Sequence, residues 1–290
     1  MSKLDERIRE DLGCLYGNKK IKRAVELGKK LSFEVSTKGE PAHFFGERSA
    51  STVVVMLNPG CIAEKADKKF AEISKGWNRR SLKGFVESYI DHKTNGAGRC
   101  PECCRPDAFD VKQAAFLKPW TGCGIEFPKN FETNENKLLA KKNVLLQKLQ
   151  LELVPFASQT TKFQKDDYDL LLPYLEDCLD EIFAKKRKYV ILCGSVFEHL
   201  LKKSKEKGTI GADFSNKKKK VLKSKKLSKG ITVHCMVAEI CYNGKKQRVL
   251  VAHTFASRAL PNAYGLMENT GSSASRLFRK TKFNQNRSKK

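Results

Sequence analysis

Four apolar runs, each five or six residues long and each closing on polar or turn-forming residues, limit most strongly what this chain can fold into. They are Thr52–Leu57, Leu149–Val154, Tyr189–Cys193 and Arg248–Ala252. Runs this short, bounded by turn signals, read as buried strands. Helical patterns separate them: Lys137–Gln150 precedes the second, Tyr168–Ala184 precedes the third, and Ser195–Lys203 follows it. Strands alternating with helices predict a parallel sheet covered by helices on both faces. In such a sheet the carboxyl ends of the strands converge on one rim, where ligands bind.

The rest of the chain is assigned around that frame. Residues 1–50 form an N-terminal lead-in, with one or two amphipathic helices over 4–31 and a polar stretch from Glu34 to Ser51. Residues 51–270 hold one α/β domain with a cysteine-containing insertion at about 61–135. Ile231–Tyr242 is rich in β-formers and predicts an edge hairpin before the fourth strand. The lysine-rich segment at about 202–230 reads as a long exposed excursion, and 271–290 as a basic tail.

The net charge of +25 is unevenly placed. Asn216–Gly230 carries eight lysines, Lys217, Lys218, Lys219 and Lys220 among them, and no acid. Arg276–Lys290 carries seven basic residues and again no acid. Such runs are the footprint of a polyanion binder, most often of nucleic acid. A membrane partner is not expected, since neither run has an apolar face beside it and no apolar stretch nears the ~20 residues of a span. Without a secretory signal, the chain is expected inside the cell, in the cytoplasm or a nucleus, as a monomer.

Ten cysteines in an intracellular protein do not predict a disulfide framework. Cys61, Cys178, Cys193, Cys235 and Cys241 adjoin apolar stretches and read as core thiols. Arg99-Cys100-Pro101-Glu102-Cys103-Cys104 has the form of half a zinc knuckle, which Cys123 with Cys104 or His92 would complete. Structural zinc, free thiols and an iron–sulfur cluster all remain open for this group.

The strand ends carry the distinctive residues. The first run ends in Leu57-Asn58-Pro59-Gly60, where Pro59 ends the strand and Gly60 allows close backbone approach. The second continues as Glu152-Leu153-Val154-Pro155-Phe156-Ala157-Ser158, the third as Cys193-Gly194-Ser195, and the fourth as His253-Thr254-Phe255-Ala256-Ser257-Arg258. This ordered set resembles the uracil-DNA glycosylase superfamily, across about residues 50–265. Leu57–Gly60 is similar to the first motif of its mismatch-specific and single-strand-selective branches. His253 with the loop after it looks like the second motif, and Val190–Gly194 like the strand and glycine between them. The chain departs from the pattern where Thr254-Phe255 replaces Pro-Ser and where the first motif lacks an Asp. Its cysteine spacings also differ from those of the iron–sulfur members.

The resemblance implies a three-layer αβα sandwich around a mainly parallel, four-stranded sheet. It implies a monofunctional DNA glycosylase that needs no cofactor for catalysis. Asn58 would position the attacking water, and His253 would hydrogen-bond the departing base. Leu57, Gly60 and Glu152 would line the base site, with Phe156 or Trp120 as a stacking surface. Phe70, Trp77 and Phe116 are further aromatics in range, though core positions suit most of them. Ser158, Arg258, Leu260 and the lysines 217–220 would meet DNA, with Arg258 and Leu260 filling the gap left by a flipped nucleotide.

Uracil readers of this fold commonly carry an Asn near the end of the second strand, where this chain has Glu152. An ionised carboxylate only accepts hydrogen bonds, so it suits an exocyclic amine such as cytosine N4. A modified cytosine is therefore the favoured target, and defence against viral DNA the role the resemblance implies for it. Uracil repair is the alternative. A register shift of one residue would instead turn Glu152 to solvent. Two other classes compete: a catalytically inactive nucleic-acid-binding module, and a metal-dependent nuclease. The nuclease needs clustered carboxylates, and Asp166, Asp167, Asp177, Asp180 and Glu181 fall on a helical pattern instead.

Overall fold

The computed structural model describes residues 2–57, 60, 62–95, 108–158, 163–214, 218–222, 231–252 and 264–283. In chain order the elements are α1 (Lys3–Tyr16), α2 (Lys22–Gly28), β1 (Phe44–Gly46), β2 (Thr52–Met56), α3 (Ala63–Ile73), α4 (Leu82–Thr94), α5 (Ala108–Leu117) and α6 (Asn134–Gln147). There follow β3 (Leu149–Glu152), α7 (Tyr168–Ala184), β4 (Tyr189–Cys193), α8 (Val196–Glu206), β5 (Gly211–Phe214), β6 (Lys218–Leu222), β7 (Ile231–Tyr242), β8 (Lys245–Ala252) and α9 (Tyr264–Lys280).

All four apolar runs are strands, and they lie side by side in the order β3-β2-β4-β8, every pair parallel. The sheet is larger and more mixed than the four strands expected. Its path runs β1-β3-β2-β4-β8-β7-β5, with β6 also pairing with β7. β1 is antiparallel to β3, and β7 is antiparallel to both β8 and β5. β7 is therefore interior to the sheet, held on both sides, instead of forming an edge.

The lysine-rich segment carries secondary structure that the sequence reading did not give it. Helix α8 runs on to Glu206, and β5 and β6 both pair with β7. Local composition hides this, because lysines enter a strand when a long neighbour supplies the hydrogen-bond ladder. The basic C-terminal segment likewise begins inside α9, whose Met267, Ala274 and Phe278 are buried.

Helices cover both faces of the sheet, an arrangement compatible with a three-layer αβα sandwich. Alternation along β2 divides the core: Val53 and Val55 pack with residues of α1, α2, α4, α7 and α8, and Val54 and Met56 with residues of α5, α6 and α9. The lead-in belongs to the first of these cores, since Leu4, Ile8, Leu12 and Leu15 of α1 are buried in it. On the second face α5 and α9 touch closely. A Cβ on Gly271 would stand 2.0 Å from the Phe116 carbonyl oxygen, so only glycine lets the helices meet there.

Candidate functional site

The four central strands end in one transverse row. Met56 pairs with Glu152, and Cys193 pairs with Ala252. Val55 pairs with Leu192, which brings Met56 beside Cys193. The row thus reads Glu152, Met56, Cys193, Ala252, all on the face that α5, α6 and α9 cover. The chain leaves β2 at Leu57 and β8 at Ala252 on the same edge.

Backbone bonds hold the exits together. Leu153 N donates to Met56 O at 2.8 Å and Val154 N to Leu57 O at 2.9 Å, so the exits of β3 and β2 run side by side. They meet again in a parallel bridge between Gly60 and Ser158. Gly194 N donates to Ala252 O at 2.8 Å, joining the β4 and β8 ends. Gly194 has φ +138°, a region side chains rarely adopt, and an added Cβ would press on Leu57 at 3.3 Å. The strand-glycine element thus has a local cause: it seats Leu57 over the end of β4.

Glu152 is buried, 3% exposed, and does not turn to solvent. It ends a polar ladder along one side of β3. Lys148 Nζ donates to Gln150 Oε1 at 2.8 Å, and Gln150 Nε2 donates to Glu152 Oε1 at 2.6 Å. Gln113 of α5 reaches the same Gln150 oxygen at 3.4 Å. Lys148, Gln150 and Gln113 are all fully buried. Burial pushes the Cys193 thiol pKa up, with Lys148 opposing the rise and Glu152 adding to it. Sequence reading missed Lys148 and Gln150. Their signal was the strict alternation Lys148-Leu149-Gln150-Leu151-Glu152, which reads as a strand with one wet face. Here α5 and α6 bury that face.

Several expected site residues lie elsewhere. Phe156 is 1% exposed and packs edge-on against Tyr174 at 6.2 Å, so it offers no stacking surface. Ser158 is fully buried and presents nothing to DNA. Both follow from one cause, because the lead-in clamps their loop: Ala42 N donates to Pro155 O at 2.7 Å and Ser36 N to Ala157 O at 2.8 Å. Trp120 is 1% exposed and sits at the wrong end of the sheet. Its ring lies 5.0 Å from that of Tyr189, the first residue of β4, and 5.4 Å from Phe278. Phe70, Trp77 and Phe116 are core residues as well. Gly60 is exposed, and among the described residues nothing stands within 4 Å of where a Cβ would be.

Cys123 belongs to the amino end of the strands, where its carbonyl oxygen accepts from Thr52 Oγ1 at 2.6 Å. Its thiol is buried, which raises its pKa. His92 is on the opposite face of the sheet, packed on Trp77 and 3.5 Å from Glu40, so it and Cys123 cannot serve one ion. Among the described residues no group of three or more His, Cys, Asp or Glu is placed to hold a metal. Cys100, Cys103 and Cys104 lie outside the described residues, as do Asn58, Lys217, His253, Arg258 and Leu260. Lys218, Lys219 and Lys220 form part of β6.

Three of the helical carboxylates are engaged by different cations. Asp177 pairs with Arg7 and Arg23, Asp180 with Lys3, and Glu181 with Arg48 and Arg187. On that side of β3 a cavity of about 10 Å³, lined by Arg23, His43, Tyr174, Asp177 and Cys178 among others, has room for one water and none for a base. No helix of the described residues is long and apolar enough to cross a membrane. No protein-family profile, no curated protein and no solved structure matches this chain.

Proposed function

We propose that the protein is a monofunctional DNA glycosylase whose base site lies at the carboxyl rim of β3, β2, β4 and β8. The observation that carries this reading is the convergence of the exits of β2, β3 and β8 on one edge of a parallel sheet. Asn58 is the residue after Leu57, and His253 the residue after Ala252. β2 and β8 are separated only by β4, so their exits start roughly 10 Å apart at the usual strand spacing. Residues leaving both strands can therefore reach one small ligand.

In the reaction, water adds across the bond joining the base to deoxyribose. The base departs with a proton and an abasic sugar remains. A base in a duplex must first be extruded. Asn58 orients the water through a neutral amide, which abstracts protons poorly. Stabilising the leaving base must then supply much of the rate, and a hydrogen bond from His253 serves that purpose. Arg258 and Leu260 fill the vacated position in the stack, and the lysine runs hold phosphates. Glu152, buried at the rim, favours a base carrying an amino group, such as a modified cytosine; uracil is the alternative substrate. The cysteine group, if it binds zinc, has a structural role.

The test is incubation with DNA carrying uracil, cytosine, hydroxymethylcytosine or glucosylated hydroxymethylcytosine, followed by hot alkali. Strand cleavage on one substrate, abolished by Asn58→Ala, supports the reading and names the base. The net charge of +25 favours a second reading, an inactive nucleic-acid-binding module. That reading predicts no cleavage, and binding that weakens steeply with salt without base preference.

A further inference from the structure

The ladder under the rim has a direction. Lysine can only donate, so the Gln150 atom facing Lys148 Nζ must be its oxygen. The amide nitrogen of Gln150 is thereby turned to Glu152, where it donates at 2.6 Å. Amide orientation is often ambiguous, but a donor-only neighbour settles it. Every member is buried, so water does not scramble the order. The buried positive charge of Lys148 also offsets the cost of burying a carboxylate nearby, which is otherwise several kcal/mol.

We infer that Lys148 and Gln150 are positioning residues whose chain of hydrogen bonds holds Glu152 as an acceptor at the rim, so that the group read there must be a donor such as an exocyclic amine. A carboxylate can accept about four hydrogen bonds, and one of those made by Glu152 comes from Gln150. This inference rests on the placement of the base at this rim. It adds the residues that fix the polarity of the reader, and none of them touches the base.

The polarity gives a test that a merely structural role would not meet. In Glu152→Gln the ladder still donates toward position 152, so the new side chain accepts with its oxygen and turns its NH₂ to the ligand. Preference should move from 5-hydroxymethylcytosine to 5-hydroxymethyluracil, which differ along one edge: an amine beside an unprotonated ring nitrogen against a carbonyl beside a ring N–H. The expected change in the ratio of excision rates is about tenfold or more, as for one charge-assisted hydrogen bond. Adding Lys148→Met to Glu152→Gln frees Gln150 to rotate, and the ratio should fall back to within about threefold of unity. If that double variant does not fold, Lys148→Gln keeps a hydrogen bond at the site while removing the fixed direction, and it should relax the ratio equally.

Binding of the same two oligonucleotides is measured alongside, in the Asn58→Ala background. Excision of neither base by any variant, together with no cleavage of the uracil, cytosine and glucosylated substrates by the wild type, would end the glycosylase reading, and the binding ratios would then decide the polarity inference. Ratios that stay unchanged in Glu152→Gln, or a shift that survives loss of Lys148, would overturn it even with excision intact.

Discussion

At the amino ends of the central strands Trp120, Tyr189 and Phe278 interlock, with ring centroids 5.0 to 5.7 Å apart and every ring buried. At the carboxyl ends the same strands finish in Glu152, Met56, Cys193 and Ala252, and a glycine at positive φ follows. Large rings close one end by shape. Small and polar residues close the other by hydrogen bonds, and the chain exits gather there. On the proposed function the two ends of one sheet divide stability from recognition, in keeping with the rule that ligands of open α/β sheets gather at the carboxyl side.

Substitutions at the two ends should separate the two properties. Trp120→Ala removes the largest side chain of the closed end and should cost about 3–5 kcal/mol in urea unfolding, with base preference unchanged. A shift in preference would break the division. Gln150→Leu interrupts the ladder under the rim and leaves Lys148 and Glu152 without their bridge. It should cost about 3 kcal/mol by the same measurement, since two buried hydrogen bonds are lost, and should also alter base preference. Gly194→Ala puts a side chain at φ +138° and against Leu57, for about 1–3 kcal/mol. Its thermal unfolding should fall by a few degrees, and DNA binding should weaken more than stability alone explains. Gly60→Ala meets no described residue and should change stability by less than about 0.5 kcal/mol. Any loss of DNA binding there would report a ligand approaching Gly60, whereas a large stability loss would count against the open end as described.

Much of the frame was readable because it depends on near neighbours. The pattern Tyr168–Ala184 is α7 and Tyr189–Cys193 is β4, residue for residue, since apolar periodicity and turn signals act within a few positions. The parallel pairing of the four runs followed from the helices between them, and their order in the sheet did not. Reading individual site residues went less far. Trp120 stands in Lys118-Pro119-Trp120-Thr121-Gly122, which looks like an exposed loop, yet it folds beneath the start of β4. Phe156 and Ser158 follow a strand end, as site residues do, and are buried because a segment more than a hundred residues earlier clamps them. β6 carries three lysines and no helpful alternation, and is a strand because β7 extends beside it.

By itself the sequence determined the four central strands and the helices between them, the charge that points to a polyanion, and the residues that follow each of those strands. Those are matters of side-chain period, backbone freedom at Gly and Pro, and composition, all of which act locally. Only the tertiary structure decided which polar residues are buried. Lys148-Leu149-Gln150-Leu151-Glu152 alternates as a half-exposed strand would, and nothing within it says that helices α5 and α6 will cover its polar side. Burial is set by partners distant in sequence, and burial turns three ordinary surface residue types into a ladder with a direction.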